Sequence, residues 1–433
     1  MVEKILILFS VLLNTYEIKA ERLKQAILES QDGDTILVNG GKFEGSIEIN
    51  KSIKIIGLNQ PVIDGKGKGT IIKITKPVVF KGFIIRGTGS FLEDEDSAVF
   101  IYGTSGVVIE ENIIEDSLFG IYLKNVSSSL IRRNKISGKN LEISQRGDGI
   151  RLWNTRHILI EENTLESVRD AVIWYSENIT FVRNKVMNSR YGLHYMYSND
   201  NKLSYNEFKG NVVGTFIMFS KMIFVESNVF GGARELSGIG VGFKDASAVV
   251  LKNNLIADNT VGIYLANSPE YISEEIFSPE SIMEEQIIGN KIHGNLIKNN
   301  VFAFNTVVFR ILPPSFPNYI TQNTFWANII LCEFEQVLED KNVWYMNYYD
   351  DYRGFDSDRD GIGDIPFRYE TLFMKVLIDY PEIRFLYFSP IRTLLEYVSN
   401  VLPFLKPKAV FSDSKPKISP EFFGWDKKEV RRN

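Results

Sequence analysis

Gly149-Ile150-Arg151-Leu152-Trp153, Asp170-Ala171-Val172-Ile173-Trp174, Gly192-Leu193-His194-Tyr195-Met196 and Gly214-Thr215-Phe216-Ile217-Met218 are four frames of one repeat, about 22 residues long. Fourteen residues after the first position of each frame stands an asparagine: Asn163, Asn184, Asn206 and Asn228. A period of this length with one recurrent polar position marks a solenoid, in which each repeat buries its apolar face against its neighbours.

Parity within the frames divides core from surface, because successive side chains of a strand point to opposite faces. The second and fourth positions read Ile150, Ala171, Leu193, Thr215 and Leu152, Ile173, Tyr195, Ile217. This mostly apolar set fills the core. The third and fifth read Arg151, Val172, His194, Phe216 and Trp153, Trp174, Met196, Met218, a mixture that belongs on an outward face.

Outward from the frames, short β-rich runs follow one another: Thr35 to Val38, Ser46 to Ile49, Ser52 to Ile56, Thr70 to Ile74, Val78 to Ile85, Ala98 to Ile101 and Val107 to Ile109. Gly, Asn or Pro closes the earlier ones, and no helical pattern intervenes. Glu21 to Ser30 carries Leu23, Ala26 and Ile27 at helical spacing, which fits a cap on the first coil. Asn112, Asn134, Asn253, Asn300 and Asn323 extend the asparagine series, expected to stack coil on coil as structural amides. Longer intervals place loops at Gly89 to Asp96, Gly138 to Gly147 and Ser268 to Gly294, the last holding six glutamates. Such acidic loops are solvated faces or lids that meet a basic partner. Pro390 to Phe404 sets Ile391, Leu394, Leu395, Val398 and Leu402 on one helical face, and the Pro- and Lys-rich stretch Lys406 to Asn433 reads as loosely ordered.

With 433 residues, 44% of them hydrophobic, the chain can bury a large core, and a formal charge of -5 without a basic stripe gives no reason to expect nucleic acid. Cys332 is the one cysteine, so no intrachain disulfide forms. Residues 1–20 read as an export signal, with Lys4, the apolar run Ile5 to Leu13 and Ala20 at the cut. Residues 21–335 then form the β-helix, 336–370 its end with an Asp-rich loop, and 371–433 a C-terminal extension carrying the helix.

Three chemistries compete for the outward face. Met196 and Met218 on adjacent strands, with His194 beside them and Met222 around the corner, offer thioether and imidazole donors that suit Cu(I). Trp153 and Trp174 add indole faces for a cation–π contact or a shield. The same residues also read as an apolar patch covered by a loop or partner. An aromatic strip fits sugar as well, but a lyase or hydrolase needs paired carboxylates or a metal with a basic residue. Asp148 and Asp170, with Arg151, Arg169 and Arg190, are the central candidates, and Arg–Asp ion pairs account for them equally. Separately, Asp356, Asp358, Asp360 and Asp364 follow an Asp-x-Asp-x-Asp-Gly opening of calcium-loop type, with Phe367 where such a loop ends in glutamate.

The segments Gly147-Asp148-Gly149-Ile150-Arg151-Leu152-Trp153, Arg169-Asp170-Ala171-Val172-Ile173-Trp174 and Arg190-Tyr191-Gly192-Leu193-His194-Tyr195-Met196-Tyr197-Ser198 resemble the NosD-type accessory proteins of nitrous oxide reductase. So do Asn347-Tyr348-Tyr349-Asp350-Asp351-Tyr352 and Ser389 to Val398, and the resemblance spans about residues 21 to 404. It implies a right-handed parallel β-helix of the pectate-lyase-like kind used without known catalysis. It further implies a periplasmic protein that works with an inner-membrane ABC-type permease and ATPase, receives copper from a donor lipoprotein, and delivers it to the copper–sulfur centre of the reductase apoprotein. It favours the copper reading of His194, Met196, Met218 and Met222, and casts the helix from Pro390 as the permease contact.

Overall fold

The computed structural model describes residues 14–268, 294–312, 317–334, 342–369, 376, 380, 382, 383, 386, 389–402 and 410–430. The chain divides into two compact units, Met1–Leu159 and Ile160–Asn433. Each is a parallel β-helix in which three short strands make one coil and every strand pairs in parallel with its counterpart in the next coil.

In the first unit the helix Leu23–Glu29 follows a 3-10 turn at Ala20–Arg22 and buries Leu23, Ala26 and Ile27, as the sequence pattern predicts. The strand Thr15–Ile18 pairs with Thr35–Asn39, and Ala20 is wholly buried. The residue at the expected cleavage point is therefore built into the first coil, and a cut there removes an edge strand. The run Val78 to Ile85 is two strands, Val79–Lys81 and Ile84–Arg86, because Gly82 at φ +84 turns a corner between them.

One coil of the second unit shows why the sequence has its period. Tyr191–Met196, Asn201–Ser204 and Glu207–Lys209 are its strands, and the next coil repeats them as Val213–Met218, Ile223–Glu226 and Val229–Gly231. Left-handed residues make the corners, here Tyr197, Asp200 and Tyr205, each at a steric cost that the surrounding coil must hold. Gly192, Gly214 and Gly240 stand in a column where an added Cβ would run into the carbonyl oxygen of the glycine one coil on. That close approach is why glycine recurs early in the frames. Every inward residue predicted from parity, from Ile150 to Ile217, is at most 1% exposed.

The asparagines form buried ladders inside the coils. Asn206 Oδ1 accepts from the Asn184 backbone N–H at 2.8 Å and its side-chain amide at 3.2 Å, and Asn206 passes the same pair of bonds on to Asn228. Each rung follows a left-handed corner residue. For that reason the rung after Asn228 is Asn254 and not Asn253, which itself takes the left-handed corner at φ +57. A second ladder, Asn259, Asn305 and Asn328, and a third, Asn295, Asn318 and Asn342, support other corners.

The C-terminal tail is not loosely ordered over its described part. Phe411–Asp413 pairs antiparallel with Phe367–Tyr369, while Phe422, Phe423, Trp425 and Val430 cover the Leu255, Ala257, Val301 and Ala303 face. Apolar residues dispersed among prolines and lysines hide this packing from a compositional reading. Asp413 closes the main ladder: Oδ2 accepts from the Asn347 N–H at 2.9 Å, its side-chain amide at 3.0 Å and the Tyr349 hydroxyl at 3.1 Å. The carboxylate thus stands where another asparagine carbonyl would stand. The helix Pro390–Val401 also differs from expectation. Leu395 packs on Val261, Val307 and Ile330, so the exposed apolar face is Ile391, Leu394, Tyr397 and Val401.

Asp413→Ala strands the buried donors of Asn347 and is expected to lower stability by about 2 to 3 kcal/mol. Asp413→Asn, which keeps a carbonyl oxygen, loses less. Urea midpoints of the two variants measure the difference.

Candidate metal centre

The strand Tyr191–Met196 is shifted against its neighbour: Asp170 pairs with Tyr191, but Val172 pairs with His194, so Gly192 and Leu193 oppose the single residue Ala171. Such a bulge bends a strand and re-aims its side chains. Beyond it the register is even, and Trp174, Met196 and Met218 lie side by side on three adjacent strands. The sequence column is therefore real, although its first member, Trp153, belongs to the other unit.

His194 is the centre of this face. Parity sends it outward, yet it is only 6% exposed, because Trp174 meets its ring edge-on at 5.6 Å and Tyr191 leans against it at 5.0 Å. The Nε2 atom lies 3.2 Å from the Met218 thioether sulfur, and Nδ1 is buried without a hydrogen-bond partner. Burial, with a smaller push from the Arg190 guanidinium, lowers the imidazole pKa from 6.5 to about 4, partly opposed by Asp170. The ring is neutral at neutral pH, as a metal ligand must be. Met196 is half-buried directly opposite Met218. One imidazole and two thioethers, with an unsatisfied ring nitrogen, fit a soft monovalent ion.

Two residues the parity reading left out build the wall. Arg190 clamps Asp170 through two N–H groups, the Nε–Oδ1 bond measuring 2.9 Å, and its guanidinium covers the Tyr191 ring at 4.8 Å. The Tyr191 backbone N–H also donates to Asp170. The signal in the sequence was the Arg190-Tyr191 pair just before the His194 frame, whose side chains line the surroundings of the histidine.

The remaining predicted residues lie elsewhere. Met222 takes a left-handed corner and packs with Phe224 against Ala248, Val250, Leu296 and Tyr319, on the outer side of another sheet. The structure does not bring it to His194. Trp153, in the first unit, lies 5.9 Å from Arg151, whose guanidinium also rests on Phe119 and Tyr122. Arg151 is 3.6 Å from Asp148 and 3.5 Å from Glu95, and burial, then the Glu95 charge, pushes the Tyr122 phenol up to about 12. Asp148 and Asp170 thus each face an arginine. In the Asp-rich loop the carboxylates of Asp356, Asp358 and Asp360 converge within 4.8 Å. Asp364 instead accepts from the Ser357 N–H at 2.8 Å, and bonding to Ser357 keeps its carboxyl below the usual range. The acidic loop lies almost wholly outside the described residues.

A parallel β-helix that presents soft donors on one outward strand face, with its central acids engaged by arginines, has the design of a binding protein. Residues 132–354 match the family described as periplasmic copper-binding protein (NosD), and the chain belongs to this family. It is 25% identical to a probable ABC transporter binding protein NosD of Pseudomonas aeruginosa, over 87% of this chain and 86% of that one. A protein of the same name in Stutzerimonas stutzeri is 26% identical over 87% and 85%. Among solved structures, the A-module of the mannuronan C-5 epimerase AlgE6 of Azotobacter vinelandii superposes with a TM-score of 0.51 at 12% identity. The match covers 74% of this chain and 93% of that module, a likeness of fold.

The depressed His194 pKa fixes a pH window. The unfolded chain takes up a proton near 6.5 and the folded one only near 4, so stability is complete above that window and falls as pH drops through it. The expected loss is about 3 kcal/mol. Denaturation of the parent and of His194→Phe across this range, with NMR titration of the imidazole, tests it: the variant should lack the drop.

Proposed function

We propose that this chain is a periplasmic carrier that binds Cu(I) through His194, Met218 and Met196 and hands it on during maturation of nitrous oxide reductase. The observation that carries this reading is the buried, neutral imidazole in contact with a thioether on an outward strand face. Copper, as cargo, takes the place of the weak Nε2 to sulfur contact, and Met196 supplies a further soft donor. Trp174 shields the ion, and Trp153 belongs with Arg151 outside this donor set. Most resident-metal histidines are anchored through their second nitrogen. His194 has no such anchor, which suits a ligand that must let go.

The family and its relatives' names support association with an ABC transporter. Among the described residues no helix is long and apolar enough to cross a membrane. The exposed Ile391, Leu394, Tyr397 and Val401 are the proposed contact with the permease and its ATPase, with the reductase apoprotein and a copper-donor lipoprotein as further partners in assembling the copper–sulfur centre. A polysaccharide lyase or hydrolase is the weaker reading, since Asp148 and Asp170 are spent on arginines. We also propose that Asp356, Asp358 and Asp360 take calcium with moderate affinity. Their loop is tied to the tail by the Gly363 N–H to Pro416 and the Ile418 N–H to Gly361, so the ion would brace the cap.

Anaerobic loading is expected to give one Cu(I) per chain. His194→Ala with Met218→Ala should weaken binding at least about a hundred-fold, or about 3 kcal/mol, while Met222→Ala leaves it unchanged. A parent chain that retains no copper would make a metal-free scaffold of the transporter the better account. Millimolar Ca²⁺ should raise the melting midpoint of the parent and leave that of Asp358→Ala, Asp360→Ala unmoved.

A further inference from the structure

The outward column that contains His194 continues as Phe216, Gly242, Tyr264 and Arg310 on successive strands. Gly242 interrupts a series of large side chains. Its φ is not in the left-handed region, so backbone freedom is not the reason for glycine there. Glycine inside a strand otherwise marks a place where something lies close over the backbone. Here that thing is a ring. A methyl group at position 242 would overlap Cδ2 and Cε2 of Phe216 and stand 3.2 Å from its Cγ. The three nearest atoms to that methyl all belong to Phe216. Phe216 therefore lies down across Gly242, reaching Tyr264 at 6.1 Å between ring centroids, while Tyr191 is 5.9 Å away on the other side.

The strand that carries Phe216 also carries Met218 two residues on, and Phe216 sits directly opposite His194. A ring on this strand leans over one neighbouring strand or the other, because Met218, two residues on, already occupies the place beside it along the strand. Over Gly242 it leaves the imidazole free to reach Met218, the 3.2 Å contact already described. Over His194 it would cover that same flank. Resting on the copper reading above, we infer that Phe216 is a gate at the metal site and that Gly242 is its parking place: the missing side chain holds the ring away from His194 and keeps the flank between His194 and Met218 open to Cu(I). Gly242 is thus a positioning residue that acts through Phe216 and touches no ion.

The test is a suppressor pair. Gly242→Ala is compatible with the backbone and forces the ring to move. It should weaken Cu(I) binding about ten-fold or more in anaerobic competition with a chromophoric chelator, with circular dichroism and melting midpoint close to the parent. Adding Phe216→Ala to Gly242→Ala should restore parental affinity, which a merely structural defect at Gly242 would not allow. A metal-free readout accompanies it. The chain has three histidines, and the His194 ring-proton line, assigned by its loss in His194→Ala, should shift in Gly242→Ala through the ring current of the displaced phenyl group and return in the double variant. Unchanged affinity together with an unmoved His194 line in Gly242→Ala would overturn the gate, as would a weakened Gly242→Ala that Phe216→Ala fails to rescue. If the parent binds no Cu(I), the copper reading fails, and the NMR comparison still decides where the ring rests.

Discussion

Through most of the described coils of this protein, one interior corner is held by an asparagine whose carbonyl serves two donors of the coil before it. The ladder solves the main difficulty of a solenoid, which is that each tight corner turns backbone N–H and C=O groups into a dry interior where no strand partner reaches them. Asn184, Asn206, Asn228, Asn254 and Asn300 each donate to a backbone carbonyl near the same corner as well as to the next rung. The amide carries both functions in one small, flat, uncharged group. A series of this kind must end somewhere, and in the second unit Asp413 ends it with an acceptor-only group. A carboxylate there needs no further rung to satisfy an N–H₂ of its own.

The outward face inherits its order from that interior. Once the corners fix the register, equivalent positions on neighbouring strands lie at the strand spacing whatever their chemistry, and a soft donor set arises simply by placing methionine at one phase of the repeat. The bulge before His194 then shifts the register locally, and the Arg190–Asp170 clamp lies beside it. A desolvated histidine requires such surroundings: Trp174 and Tyr191 exclude water, and the nearby charges are paired with one another, leaving the imidazole uncharged.

Much of this was legible in the sequence because the repeat registers its own alignment. The inward set, the Trp174–Met196–Met218 column and most of the ladder follow from parity and period alone. The failures have physical causes. Adjacent asparagines at 253 and 254 are indistinguishable to a period count, and only the left-handed corner decides between them. Met222 is four residues from Met218, but the corner at Phe219 to Met222 turns the chain onto another sheet. The burial of His194 was invisible because it depends on a one-residue slip and on Tyr191, a residue outside the five-position frame. The tail reads as loosely ordered because its apolar residues contact coils far away in sequence, with Trp425 donating to the Asn253 carbonyl, and long-range packing leaves no local periodicity.

The same scaffold supports sugar-modifying enzymes elsewhere, so the fold by itself says little about the reaction. What separates a carrier from a catalyst is how the carboxylates are used. A glycosidase or lyase keeps an acid free to exchange a proton, with a neighbour that moves its pKa toward the working range. Here Asp170 is locked by a two-bond arginine clamp and Asp148 is buried beside Arg151, so both carboxylates are committed to ion pairs. The one side chain on the described face with a strongly displaced pKa and a buried, unpartnered nitrogen is His194, and its neighbours are thioethers and rings that offer neither a proton nor a hard ligand. A site so composed has little to give a substrate undergoing acid–base chemistry, and a soft cation is the partner that would complete it.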